Sequence, residues 1–110
     1  MALTPMEIDT GVNSTFVTNN GVTYYFNKRN GICVVNIGAG SFTNAVAGDE
    51  KVCDVPSGYK GAHAVTAIVR TATDVVNRIN LAASGTELKA GANFTAGQAP
   101  RGTFAYILAD

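Results

Sequence analysis

His63-Ala64-Val65-Thr66-Ala67-Ile68-Val69-Arg70-Thr71, followed after two residues by Asp74-Val75-Val76-Asn77-Arg78-Ile79-Asn80-Leu81, is the stretch on which the fold class turns. Alanine is common between Gly61 and Ala83, so helix competes with strand there. Two features select strand. The load of β-branched side chains from Val65 to Ile79 loses rotamer freedom in a helix and packs well on a pleated surface. The polarity also alternates with a period of two, so that Val65, Ala67 and Val69 share one face. Val75, Ile79 and Leu81 then share a face, with Val76, Arg78 and Asn80 on the other.

Working outward, the same punctuation recurs. Ser14-Thr15-Phe16-Val17-Thr18 and Val22-Thr23-Tyr24-Tyr25-Phe26-Asn27 flank Asn19-Asn20-Gly21, a hairpin signal because Asn and Gly tolerate positive φ. Lys28-Arg29-Asn30-Gly31 repeats that signal. Ile32-Cys33-Val34-Val35-Asn36-Ile37 is nearly continuous in small and β-branched apolar residues, which predicts a central strand covered on both faces. Gly38-Ala39-Gly40 is expected to break it, and Ser41 to Gly48 to form a bent strand or loop. Short strands are expected over Glu50–Val55 and Thr86–Ala90, and at the closing Gly102-Thr103-Phe104-Ala105-Tyr106-Ile107-Leu108. Pro56-Ser57-Gly58-Tyr59 is a turn, with Pro expected at its second corner and Gly at a position of unusual φ. Residues 1–12 have no clear period and are expected to form a leader or an arm that packs on a neighbour. Residues 13–110 then make one antiparallel β-sandwich of jelly-roll type.

Composition narrows function. Of the 110 residues 46% are hydrophobic and 15% charged, with eight basic and eight acidic side chains that cancel. Ordinary domains are about 25% charged. No stretch concentrates positive charge, so the footprint of nucleic-acid binding is missing. No apolar stretch approaches the roughly 18 residues of a membrane-spanning helix, and no membrane insertion is expected. A charge-poor domain of this size gains by burying surface against identical copies, and an oligomer is expected. Cys33 and Cys53 form neither a zinc set nor a disulfide framework, and packed thiols are expected.

Catalytic patterns are weak. Gly38-Ala39-Gly40 lacks the third glycine and following helix of a dinucleotide fingerprint, and no cofactor is implied. His63 is the only histidine, and no nucleophile elbow accompanies it and Asp54. Asp49 and Glu50, adjacent in an extended chain, point to opposite faces and cannot share a cleft. No catalytic or metal-binding residue is assigned. For binding, one of Tyr24 and Tyr25 must face outward, whereas Phe104 and Tyr106 share a face suited to core or interface. Tyr59 on its turn, with Lys60, Asn93 and Arg101 on loops, are the candidate ligand contacts, an aromatic plane and polar groups that suit a hydroxylated or anionic glycan.

A resemblance rests on the succession Cys53-Asp54-Val55-Pro56-Ser57-Gly58-Tyr59, Ala64 to Val69, Ile79-Asn80-Leu81 leading into Ser84-Gly85-Thr86-Glu87-Leu88, and Gly102-Thr103-Phe104-Ala105-Tyr106. Over roughly residues 31–110 it is similar to the C-terminal head domain of tail-fibre and baseplate receptor-binding proteins from phages of Gram-positive bacteria, prophage versions included. Lys60-Gly61 stands where that family often has a basic residue and Pro. The resemblance implies a homotrimer carried on the virion and made in the bacterial cytoplasm. It also implies tail or baseplate neighbours and, as ligand, a host-surface polysaccharide or cell-wall glycan bound without catalysis. A purely structural trimerisation or capsid-decoration domain is a second reading, and a small glycan-processing or peptidase-like domain a third.

Overall fold

The structure, a computed structural model, describes residues 13–72 and 75–109. The expected leader of residues 1–12 and the expected strand start at Asp74 lie outside them. Eight strands form in chain order: β1 (Asn13–Asn19), β2 (Val22–Arg29), β3 (Ile32–Gly40), β4 (Lys51–Asp54), β5 (Val65–Ala72), β6 (Val75–Leu81), β7 (Glu87–Ala90) and β8 (Gly102–Ile107). They make two four-stranded antiparallel sheets, ordered β1-β2-β3-β8 and β4-β7-β6-β5. The pairs β3·β8, β4·β7 and β5·β6 are nested along the chain; β5, β6 and β7 run as a meander with β4 beside β7, and β1 and β2 extend the first sheet as a second meander. Between Gly61 and Ala83 the described residues form the strands β5 and β6, not a helix, as their two-residue period requires.

Local chemistry explains the turns. Asn20 and Gly21 have φ of 50° and 84°, Asn30 and Gly31 of 54° and 82°, and each pair makes a two-residue connection between antiparallel strands. Two successive positive φ values match the twist of the flanking strands. Lys28 and Arg29, expected in the second turn, instead complete β2, because the two-residue turn needs only Asn30 and Gly31. In the Pro56 turn the Tyr59 N–H donates to the Pro56 carbonyl at 3.0 Å. Pro56 is therefore the first residue, not the second corner, and Gly58 takes the positive φ of 89° at the third position.

Two expectations about β3 are corrected. The strand does not break at Gly38: the ladder shifts register at Thr23/Tyr24, Gly38 is the residue left over, and pairing resumes with Thr23↔Ala39 and Val22↔Gly40. Glycine inside a strand here marks a bulge. Nor is β3 buried on both faces among the described residues. Cys33, Val35 and Ile37 are buried while Ile32 and Val34 face outward, since the second sheet lies on one side only.

One core fills the space between the sheets. Tyr24, Phe26, Val35 and Ile37 enter it from the first sheet, and Val52, Val69, Ile79, Leu81 and Leu88 from the second. Val75, which shares the parity of Ile79 and Leu81, stays 43% exposed at the first residue of β6. Phe104 and Tyr106 are both buried, completing the wall from β8. The sheets are stitched along two seams. Arg70 and Arg101 exchange backbone hydrogen bonds of 2.8 Å between β5 and the approach to β8, and the Asn19 side-chain amide donates to the Val52 carbonyl between β1 and β4.

Candidate functional site

The outer face of the first sheet follows from register. Phe16 lies opposite Tyr25; Asn27, Val34 and Ala105 form the next row; Ile32 and Ile107 the last. All alternate with core residues, so burying Tyr24 and Phe26 obliges Tyr25 to face water. Tyr24 is fully buried and Tyr25 40% exposed, while Phe16 and Ile107 stand 63% and 60% exposed. The Phe16 and Tyr25 rings meet at 6.1 Å. Ser14 donates to the Asn27 side-chain oxygen and the Thr18 and Thr23 hydroxyls bond at 2.9 Å, so polar pairs flank the aromatic row. A shallow depression of about 250 Å³ runs between Ser14, Asn27, Arg29, Ile32 and Val34.

The four ligand contacts proposed from sequence do not converge. Tyr59 and Lys60 lie at one end of the sandwich, where the Lys60 carbonyl accepts from the Ala109 N–H at 2.8 Å and the Leu108 N–H reaches the Gly31 carbonyl at 2.8 Å. Asn93 and Arg101 lie at the other, where Phe94 stacks on Phe42 at 4.8 Å and Arg101 Nη1 donates to the Gly40 carbonyl at 2.9 Å. The eight steps of the nine-residue β3 separate these ends by roughly 26 Å.

Several of these groups are already engaged within the fold. The Asn93 side-chain oxygen accepts the Gly48 N–H at 2.8 Å, and Arg101 also donates to the Pro100 carbonyl at 2.8 Å. Tyr59 is buried rather than presented: its ring packs edge-on against Phe26 at 6.1 Å, and Lys28 Nζ sits 4.5 Å from its centroid while donating to the Gly58 carbonyl at 2.6 Å. Lys28 is the functional neighbour that sequence reasoning missed. Its position one residue beyond an aromatic strand was legible; its approach to Tyr59 was not. Beside it Lys28, Arg29, Asn30, Gly31 and Leu108 border a second depression of about 220 Å³.

Several other ionisable groups are engaged within the fold. Glu50 Oε1 caps the Ala47 N–H at 2.8 Å, and Asp54 pairs with Lys51 at 3.0 Å, which holds the lysine's proton more firmly. Both cysteines are free and buried. Burial, then the nearby Asp54 charge, pushes the Cys53 thiol up to about 12, and burial raises Cys33, opposed in part by its polar surroundings at Tyr106 and Lys28. Neutral thiols of this kind are poor nucleophiles. The Tyr106 hydroxyl donates to the Tyr59 carbonyl at 2.6 Å, whereas the Tyr24 hydroxyl has no hydrogen-bond partner among the described residues. Burial raises both tyrosines. Among the described residues no group of three or more His, Cys, Asp or Glu side chains is arranged to hold a metal ion.

No protein-family model matches the chain, and no curated protein matches it.

Proposed function

We propose that this chain is a non-enzymatic head domain of the phage tail-fibre or baseplate kind, attaching to a host-surface saccharide as a homotrimer. The observation that carries the reading is the fit between motif order and architecture. The Pro56–Tyr59 turn directly follows β4, the Ile79–Leu81 run ends β6 and leads into β7, and aromatic β8 closes the first sheet against β3. In this reading the saccharide occupies the depression bordered by Lys28, Arg29 and Asn30 near Lys60, where cations and an amide meet hydroxyl or anionic groups. Asn93 and Arg101, bonded to backbone at the far end, support the scaffold instead. Shallow sites repeated around a trimer and again around a particle reach useful strength through avidity.

The test is binding of the purified chain to host cells and isolated cell-wall polysaccharide. Arg29→Ala and Lys60→Ala are expected to weaken binding roughly tenfold each, the scale of one charge-assisted hydrogen bond. Absence of binding by an oligomeric, folded protein overturns the attachment role. That outcome favours the structural reading, in which the domain only trimerises or decorates a capsid, and the internal engagement of Asn93, Arg101 and Tyr59 is the observation on its side.

A further inference from the structure

We infer that copies of this chain associate through the outer face of the first sheet, each copy covering Phe16, Tyr25, Val34, Ile32 and Ile107 with the same face of another. This assigns a surface to the self-association of the proposed function and rests on that reading only there: three such faces turned to one axis build a trimer, and two build a dimer.

Three observations select the face and its occupant. An antiparallel strand with one solvated side alternates apolar with polar residues, yet β3 sets Ile32 and Val34 outward against Cys33, Val35 and Ile37 inward. Five large apolar side chains exposed on one sheet face, with Ser14, Asn27, Asn36 and Thr103 set among them, mark an interaction surface. Charge then favours a copy of the chain as occupant. Within the strands of the first sheet only Lys28 and Arg29 are charged, and Lys28 turns toward Tyr59, so the face meets its own image with a single cation near one end. The outer face of the second sheet carries Lys51, Asp54, Arg70, Arg78, Glu87 and Lys89, and pairing it with its own image would desolvate six charges per copy. Area fits as well. Four strands about 4.8 Å apart and about seven residues long at roughly 3.3 Å per residue present on the order of 450 Å² before side-chain relief. Two such faces come to about 900 Å², just under the ~1,000 Å² that a specific interface should clear, and side-chain relief supplies the remainder.

The experiment is the mass of the full chain in solution by light scattering, across a dilution series, for the natural sequence and single-charge variants. Ile107→Lys and Val34→Lys place a cation on the face at positions open to water in one copy, so circular dichroism is expected to stay unchanged while the dissociation constant rises at least tenfold. Ile68→Lys, at a residue 63% exposed on the second sheet, is expected to leave the mass unaltered. Should a lysine variant fail to fold, Ile107→Thr keeps strand propensity and removes most of the apolar contact. A monomer at every concentration overturns the inference, as does an oligomer indifferent to both first-sheet variants. A dimer broken by Ile107→Lys upholds the face and overturns the trimer. A trimer unmoved by Ile107→Lys and Val34→Lys upholds the trimer and overturns the face.

Discussion

The two sheets share one alternation and turn different chemistry to water. Behind the first sheet's inward Tyr24, Phe26, Val35 and Ile37 stand Tyr25, Val34 and Ile32, with Phe16 and Ile107 on the neighbouring strands. Behind the second sheet's inward Ala67, Val69, Ile79 and Leu81 stand Thr66, Ile68, Arg70, Arg78 and Asn80. The second sheet's strands hold six charged residues, Lys51, Asp54, Arg70, Arg78, Glu87 and Lys89, which outnumber its outward Ile68 and Val76. The lesson is that a two-layer sandwich needs only one apolar face per sheet. A second apolar face on one sheet is surplus to folding and asks for another surface.

The largest expected effect sharpens the contrast between the sides of the first sheet. Phe26→Ala, at a fully buried ring, is expected to cost about 3–5 kcal/mol in urea unfolding, because it leaves a cavity in the shared core. Phe16→Ala on the outer side is expected to cost under ~1 kcal/mol at high dilution. Its cost grows with protein concentration if copies cover the face. An equal cost for the two rings at every concentration breaks the contrast.

Next comes pH, which compares one buried thiol from each sheet. Cys53 is raised from 9.0 to about 12, so the native state keeps a proton that the unfolded chain gives up above pH 9. The unfolded state then binds fewer protons, the slope of stability with pH is negative, and on the order of 4 kcal/mol present below pH 9 is lost between about pH 9 and 12. Tyr24 and Tyr106, also raised by burial, act in the same direction above pH 10. Denaturation curves at stepped alkaline pH check this. Cys53→Ala is expected to flatten the pH dependence more than Cys33→Ala, whose thiol is also raised by burial but is partly compensated by Tyr106 and Lys28.

The smallest effect tests how finished the second sheet's exterior is. The Lys51–Asp54 pair is exposed on both sides, and Lys51→Ala is expected to leave the melting temperature unchanged in moderate salt. A clear loss would mean that this edge also takes part in an interface.

Much of this was legible in residue order. Asn20-Gly21 and Asn30-Gly31 announced their hairpins because few other pairs accept two positive φ values in succession. Tyr24 and Tyr25 had to part company because neighbours in a strand point apart. Harder to see was Gly38, where a glycine that reads locally as a strand end is a bulge created by the register of a partner strand. Lys28 was equally hidden, since Tyr59 lies thirty-one positions further on and nothing local links the two. The candidate contacts Tyr59, Lys60, Asn93 and Arg101 were chosen by type and loop position, and those criteria carry no information about which end of a strand a loop joins.

By itself the amino-acid order determined the extended segments, their turns and the sets of side chains that travel together, because steric preference and two-residue alternation act between neighbours. Only the tertiary structure decided which set turned inward, that β8 would flank β3, and that Tyr59 and Arg101 would stand at opposite ends. Those choices depend on pairing between strands distant along the chain, where many arrangements bury the same residues and only packing of the whole core separates them.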